Sequence, residues 1–397
     1  MAKETLTAGI IYLPEESQWE RMLEPILFAP GALWVSKSLL WAGVEKFLVV
    51  CPAEVERSAR SCFPEEAEFV ASDGENLSQA WNTFLDKIGG RAVVMTRPAL
   101  FFRQGAELLA GEKPLACPHV TEGEGDEEVD RFSGVARWRL EDLAKTTPDQ
   151  LAEGGEPLCE EIMNLELLTP YGIQQCAKRM TASYWMDQGV SMLDPEQVYI
   201  APTVTLEPGT LVLPGTILRG ETHIGKDCEI GPNTMLRDAR VGDFTTVNAS
   251  QCSECVIGSH TTVGPFAYIR PNTTVGDHVK VGDFVELKNS VIGDETKISH
   301  LTYVGDSDVG EHINFGCGTV TVNYDGAKKF RTKIGDGAFI GCNTNLVAPV
   351  TVGPGAYIAA GSTITRDVPS DSLAIARSQQ TVKNQWAKKR RNKQQGK

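Results

Sequence analysis

Seven aliphatic residues stand six apart without a miss, at Ile200, Leu206, Val212, Leu218, Ile224, Ile230 and Leu236. The beat slips by one to Val241 and Val247, then resumes at Ile257, Val263, Ile269, Val275, Val281 and Leu287. A third run goes Ile334, Ile340, Leu346, Val352, Ile358, Ile364. A period of six fits neither a helix, which repeats every ~3.6 residues, nor a strand, which alternates at ~2. It fits a parallel β-helix, in which each hexad is one short strand plus a turn and the aliphatic side chain points inward. Gly follows the aliphatic residue at Ile224-Gly225, Ile230-Gly231, Val263-Gly264 and Ile334-Gly335, where the chain must turn tightly. Chance alternation in an all-β sandwich would not hold one period over so many repeats.

The chain divides near residue 165. Before it, Gly9–Leu13, Lys46–Cys51 and Ala92–Thr96 read as buried strands, with amphipathic helices over Ala32–Ala42 and Glu75–Ile88 between them. That alternation predicts an α/β layer with a parallel sheet in residues 1–165. Glu122 to Asp130 reads as a solvated acidic loop. Thr169-Pro170 starts a connecting helix within 166–190, with Ile173, Cys176, Ala177, Met180 and Tyr184 along one face and Gly189 at its end. Coils follow over 194–369. The tail, 370–397, holds seven basic residues and no acid from Lys383 onward, with Trp386 among them.

A length of 397 residues allows two or three domains, and a net charge of -14 argues against nucleic acid as a partner. No apolar run approaches the roughly 18 residues of a membrane span, and Met1-Ala2-Lys3-Glu4 opens no signal peptide. Ten cysteines, Cys51, Cys62, Cys117, Cys159, Cys176, Cys228, Cys252, Cys255, Cys317 and Cys342, show no disulfide-framework spacing, which suits a reducing cytoplasm. Cys252 and Cys255 form a lone CxxC. A structural zinc needs four ligands and no second pair stands nearby, so these read as turn residues between hexads.

Chemistry is expected where the beat fails, because a regular coil needs no polar insertion. The largest failure is Thr321–Lys333, a loop carrying Asn323, Tyr324, Lys328 and Lys329. At about 18 residues per coil, Arg270 and Lys288 stack on one edge. Like charges so placed repel, and an anion between them is the natural compensation, although two solvated surface cations is the bland alternative. His300 stands among Ser299, Tyr303 and Asn314, and a side chain with an unperturbed pKa near ~6.5 is a natural general base.

The blocks VGPFAYIRPNT, GDFVELKNS, HLTYVGD, TVNYDGAKKF, NLVAPVTVG, AAGSTI and AIARSQQ, in order over 263–386, resemble the acetyltransferase half of the GlmU-type family. These are bifunctional N-acetylglucosamine-1-phosphate uridyltransferases and glucosamine-1-phosphate N-acetyltransferases. The resemblance implies a left-handed parallel β-helix, a homotrimer with the site between subunits, and transfer from acetyl-CoA to glucosamine 1-phosphate in cell-wall precursor synthesis. It implies that His300 is the general base and that Arg270, Lys288 and Lys329 surround the sugar phosphate. Tyr303 and Asn314 match sugar contacts. Asn323, Tyr324, Cys317, Cys342, Ala360 and Arg377 match acetyl-CoA positions. Two depart from the family: Cys317 stands where Ala is frequent, and Cys342 where a Ser hydroxyl donor becomes a weaker thiol. Direct transfer to the sugar amine needs no protein nucleophile, so neither Cys is required as one, and no Mg²⁺ is expected. The basic tail is a candidate clamp for the coenzyme or a solubilising extension.

The N-terminal half resembles the family's nucleotidyltransferase-like, Rossmann-like domain at LLWAGVEKFLVV but departs elsewhere. The family's glycine loop around a triphosphate is replaced by Pro14–Met22, with no glycine between Gly9 and Gly31. Pro25-Ile26 replaces the family's Pro-Lys. Val93–Pro98 lacks the metal-binding Asp, which leaves Asn164 as a single remaining metal contact. The expectation is a degenerate domain attached to an intact acetyltransferase. A fully bifunctional enzyme, an acyltransferase on another amino sugar and a non-catalytic trimeric scaffold are the alternatives.

Overall fold

The computed structural model describes residues 6–105, 134–147, 150–151, 156–157 and 162–394. The acidic run Glu122–Asp130, the N-terminal Met1–Glu4, and Cys117 and Cys159 lie outside the described residues. The chain forms two compact units, Met1–Glu254 and Cys255–Lys397.

The first unit opens with a sheet in the order Glu68–Ala71, Lys46–Cys51, Leu6–Tyr12, Arg91–Met95, Val135–Arg139, Glu156–Pro157. The first four strands are parallel, and Val135–Arg139 pairs antiparallel with both Arg91–Met95 and Glu156–Pro157. Helices Gly31–Trp41 and Leu77–Leu85 stand where apolar periodicity placed them. Ile10, Leu48, Val50 and Val94 pack with Trp81 and Phe84 into one hydrophobic core. Gly9 permits the close approach of helix to sheet, since a Cβ there would lie 3.1 Å from both Leu39 and Phe47.

Thr169 caps the helix Pro170–Asp187 by accepting from the Gly172 amide at 3.1 Å. Its buried face is Ile173, Ala177, Tyr184 and Trp185, whereas Cys176 and Met180 are only half-buried. Lys178 is buried in their stead, its ammonium 2.9 Å from a Glu196 oxygen and 2.7 Å from the Glu196 carbonyl. The long stem of a lysine adds apolar contact once its charge is paired, which a simple apolar stripe does not anticipate. Arg103 is enclosed by Trp41, Phe102, Tyr184 and Trp185, and burial pushes its guanidinium below its ordinary value.

From Ser191 the unit continues as coils of two- and three-residue strands paired in parallel, such as Ile217–Arg219 with Met235–Arg237. Every aliphatic residue of the six-residue beat from Ile200 to Val247 is buried.

In the second unit the coils make a three-sided, left-handed parallel β-helix. The first face carries Lys280–Asp283, Lys297–His300, Asn314–Phe315, Phe339–Ile340 and Tyr357–Ile358. The second carries Tyr268–Ile269, Glu286–Lys288, Tyr303–Gly305, Val320–Val322 and Asn345–Val347. The third carries Thr273–Val275, Val291–Ile292, Ser307–Val309 and Thr332–Ile334. The beat residues Ile257 to Leu287 and Ile334 to Ile364 are all buried. Truncating one such side chain to Ala costs roughly 2–5 kcal/mol.

Two residues before many of these aliphatics stands a second inward position, held by Thr or Ser. The hydroxyls of Thr261, Thr296 and Thr319 donate to the carbonyls of Gly276, Gly310 and Gly316 at 2.8–2.9 Å, so the buried oxygens are satisfied. Corners take left-handed backbone at Asn272, Asn289 and Asp306, with φ of 62°, 47° and 49°. Short polar side chains tolerate that region best among non-glycine residues.

Cys252 and Cys255 are not turn residues. Each is buried in a short strand, and Glu254 with φ of 49° makes the turn. The interruption over Thr321–Lys333 is also shorter than the lost beat implies. Thr321 and Thr332 are fully buried strand residues, so only Asn323–Arg331 leaves the coil. Threonine can hold an inward position that a search for aliphatic residues passes over.

Candidate active site

Lys288 ends the second-face strand Glu286–Lys288 and Arg270 directly follows the strand Tyr268–Ile269 in the coil below, its amide donating to the Leu287 carbonyl at 2.9 Å. Stacking at a separation of 18 therefore holds at this point of the coil. Lys329 reaches the same edge from the projecting loop. Its ammonium, together with partial burial, holds Lys288 below the usual lysine value; Arg270 adds to the effect and Asp306 opposes it. Three cations on one exposed edge make a field suited to a dianion. The cluster is not bare, because Arg270 donates to Glu286 at 2.7 Å, which raises the guanidinium's pKa, and its charge lies 5.7 Å from the Tyr268 ring centre.

Tyr303 begins the next strand of that face, in register with Glu286. Its ring lies across Gly305, where a Cβ would sit 2.2 Å from the phenolic oxygen, so glycine is what lets the phenol lie flat. Gly305 is in turn the register partner of Lys288.

His300 closes a first-face strand at the corner before Tyr303. Its Nδ1 is hydrogen-bonded to Oδ1 of Asp283, its register partner in the coil below. That bond holds the Asp283 carboxyl below its ordinary value. A carboxylate at Nδ1 keeps that nitrogen protonated and leaves Nε2, on the open side, as the basic atom. Above His300 the same edge continues. Gly318 donates to Leu301 at 3.0 Å, Asn343 to Cys317 at 2.7 Å and Gly361 to Cys342 at 2.7 Å. Cys317, Cys342 and Ala360 thus rise in one column over His300, and the Arg377 stem lies 3.7 Å from where a Gly361 Cβ would be. Cys317 is half-buried and Cys342 exposed. This edge can hold an extended ligand whose far end is anionic.

The loop is a short hairpin closed by a bridge between Tyr324 and Lys329. Asp325 accepts from the Lys328 and Ala327 amides at 2.6 and 2.8 Å, which keeps its carboxyl below the ordinary value. Arg331 fastens the base: it pairs with Asp308 and donates to the Asn289 and Ser307 carbonyls, each at 3.0 Å. Asn323 Nδ2 lies 3.4 Å from the Tyr303 hydroxyl.

Asn314 is placed apart from this group. It is exposed on the first face, in register with Lys297 and Phe339, and no hydrogen bond joins its side chain to the cations among the described residues. The tail forms a fully exposed helix, Trp386–Gln394, with Arg390 5.2 Å from the Trp386 ring centre. In the first unit, Pro14–Met22 enters the helix Glu16–Leu23, where Glu15 and Gln18 cap its start. Asn164 spends its side-chain oxygen on the Glu166 amide at 2.8 Å.

Sequence reasoning missed Asp283, Glu286, Asn289, Asp306 and Arg331. Asp283 precedes His300, and Asp306 precedes Asn323, by 17 residues, a spacing that a uniform coil of about 18 does not pick out.

The family description "Bacterial transferase hexapeptide (six repeats)" matches residues 331–366, and "GMPPB C-terminal domain" matches residues 251–323. A curated relative named bifunctional protein GlmU, from Halalkalibacterium halodurans, is 52% identical over 219 residues, which is 55% of this chain and 48% of that protein. Its namesake from Clostridium acetobutylicum is 54% identical over 205 residues, 52% of this chain and 45% of that protein. The chain thus spans about half the length of the curated relatives it matches. Among solved structures, the UDP-N-acetylglucosamine acyltransferase of Francisella novicida aligns over 49% of this chain and 72% of its own, at 16% identity and a TM-score of 0.33.

Proposed function

We propose that this chain transfers the acetyl group of acetyl-CoA to the amine of glucosamine 1-phosphate, giving N-acetylglucosamine 1-phosphate for cell-wall precursor synthesis. The observation that carries the reading is His300, fixed by Asp283, at the foot of the column Cys317–Cys342–Ala360, with three cations at the far end of the adjoining second face. Arg270, Lys288 and Lys329 hold the sugar phosphate, and Tyr303 orients the ring. Asn323 and Tyr324 lie along the donor, while Cys317, Cys342, Ala360 and Arg377 follow the pantetheine arm towards the nucleotide. Bound acetyl-CoA supplies an acetyl thioester. His300 Nε2 takes one proton from the sugar amine as its nitrogen attacks, and holds it for the departing sulfur. Cys317 and Cys342 have no covalent part to play.

Asn314 is part of this reading as a sugar contact supplied by another copy. It stands on a different face from Arg270, which suits a site completed between subunits of a homotrimer. Among the described residues no helix is long and apolar enough to cross a membrane. We place the enzyme in the cytoplasm, with sugar phosphate and coenzyme as its partners and nucleic acid excluded by charge.

The division at about residues 165 and 194 belongs to the same proposal, as does loss of uridyl transfer from the N-terminal half. A helix begins at Glu16 where the resemblance would require a glycine loop, and Asn164 is engaged as a cap. Positioned charge neutralisation supplies nearly all of the catalysis in phosphoryl-type transfer, so without it no Mg²⁺-dependent turnover is expected. The test is to assay both half-reactions on the purified protein. Acetyl transfer without pyrophosphate release from UTP supports the reading; Mg²⁺-dependent pyrophosphate release, lost in a chain beginning near Thr169, would overturn its second part.

A further inference from the structure

Asn272, Asn289, Asp306 and Asn323 follow one another up the corner between the second and third faces, one per coil. Three are corner residues with left-handed backbone, and the fourth is where the loop departs. Asp306 is almost wholly buried, at 5% exposure. One of its oxygens accepts from Asn289 Nδ2 and the other from Asn323 Nδ2. Its backbone is tied in as well, the amide donating to the Lys288 carbonyl at 2.9 Å and the carbonyl accepting from Thr332 at 3.1 Å.

A carboxylate offers acceptors only, so the nitrogen of Asn323, never its oxygen, must face Asp306. The second hydrogen on that nitrogen points towards the Tyr303 hydroxyl, 3.4 Å away. Both donors of the carboxamide are then spent on the protein. Among the described residues no hydrogen bond reaches Asn323 Oδ1, which is left as an acceptor. We propose that Asp306 is a positioning residue, which locks the carboxamide of Asn323 so that its oxygen faces the attacking amine. This rests on the acetyl-transfer reading and on its site between subunits, since His300 and Asn323 stand at opposite ends of the second face of one chain. As the sugar nitrogen attacks, its N–H bonds become more acidic. One proton goes to His300 and another N–H can donate to Asn323 Oδ1, a bond that strengthens towards the transition state.

Asp306→Asn tests this by logic and not by removal. Because the Asn289 carboxamide could itself turn over, the variant is made beside Asn289→Lys and compared with Asn289→Lys alone: an ammonium at 289 can only donate to the oxygen at position 306, so the new amide nitrogen must face Asn323. Every bond of the column survives only if Asn323 turns over and presents Nδ2 to the amine. The expected result is an unchanged melting temperature, KM for both substrates within about threefold, and kcat lower by roughly 30-fold, the worth of one hydrogen bond to a developing charge. Adding Asn323→Asp should recover about tenfold of that loss, because a carboxylate at 323 accepts from the amide at 306 and still presents an oxygen. Asp306→Asn with kcat within about threefold of its Asn289→Lys parent, or no gain on adding Asn323→Asp, would overturn the proposal. Should Asp306→Asn not fold, Asn323→Leu at its half-exposed position carries the test, with the same roughly 30-fold loss in kcat expected and a loss under about threefold refuting it. Wild-type protein run in parallel separates the two readings. If it fails to turn over, the acetyl-transfer reading falls and this inference with it; if it turns over and the variants match their parents, this inference falls alone.

Discussion

Arg270→Ala should harm phosphate binding by more than the loss of one cation, because the guanidinium also neutralises Glu286 at 2.7 Å. A charge-assisted hydrogen bond is worth about 1.5–3 kcal/mol when shielded from water, or about 10- to 150-fold in binding. Both side chains keep about a third of their exposure, 36% and 38%, so screening favours the low end. The direct loss is then about tenfold. The freed carboxylate on the same face repels the dianion. At ~5 Å in a largely aqueous dielectric its repulsion of the nearer phosphate charge is on the order of 1 kcal/mol, the farther charge being screened, or about fivefold more. The single variant should therefore raise KM for glucosamine 1-phosphate by about 50-fold, and Arg270→Ala combined with Glu286→Ala by only about tenfold. Initial rates of coenzyme A release at saturating acetyl-CoA, with the sugar phosphate varied, measure both. Repeating them at higher salt should shrink the difference. A double variant as poor as the single, or an equal rise in KM for acetyl-CoA, would refute the electrostatic account and mark Arg270 as structural.

His300→Ala should lower kcat by roughly 10²–10⁴-fold with the fold intact, and a variant keeping a third of wild-type kcat would show that another group is the base. Asp283→Ala should cost about tenfold in kcat at unchanged KM; Asp283→Asn should cost less, since its carbonyl oxygen still accepts from Nδ1–H, and the reverse order would argue against an orienting role. Lys288 is held below the usual lysine value by Lys329, and its cation is the phosphate-binding form. KM for the sugar phosphate should therefore climb with rising pH before an ordinary lysine near ~10.4 titrates. In Lys329→Ala that climb should move to higher pH, and a climb that stays in place would exclude Lys288 as its source. Arg331→Ala frees the base of the loop, so trypsin should cut after Lys328 or Lys329 several times faster while the far-ultraviolet circular dichroism of the coils is retained; an unchanged cleavage rate would mean the hairpin holds itself.

The coil itself was legible because its determinant is local and repeated. Each hexad needs one aliphatic residue in the same place, and from Ile200 to Ile364 most hexads declare it. The helix at Pro170 was legible for a related reason, since Thr169 caps it by a bond spanning three residues. His300, Arg270, Lys288 and the loop could be singled out as polar residues in a pattern with no need of them. Their partners could not, because partnership depends on coil length, and coil length is not constant. Arg270 and Lys288 are one coil apart at 18 residues, whereas Asp283 meets His300 at 17. A uniform coil of 18 would set Gly282 beside His300 and turn the carboxylate onto the other side of the strand, since a slip of one residue exchanges the faces of a strand. Asp306 was hidden for the same reason: in sequence it is an ordinary corner acid, and only the stacking of three corners shows that it is buried between two amides. The repeating sequence therefore determined which residues point inward. The tertiary structure alone decided which outward residues meet, because those contacts join neighbouring coils and the registers between coils are fixed by where each turn gains or loses a residue.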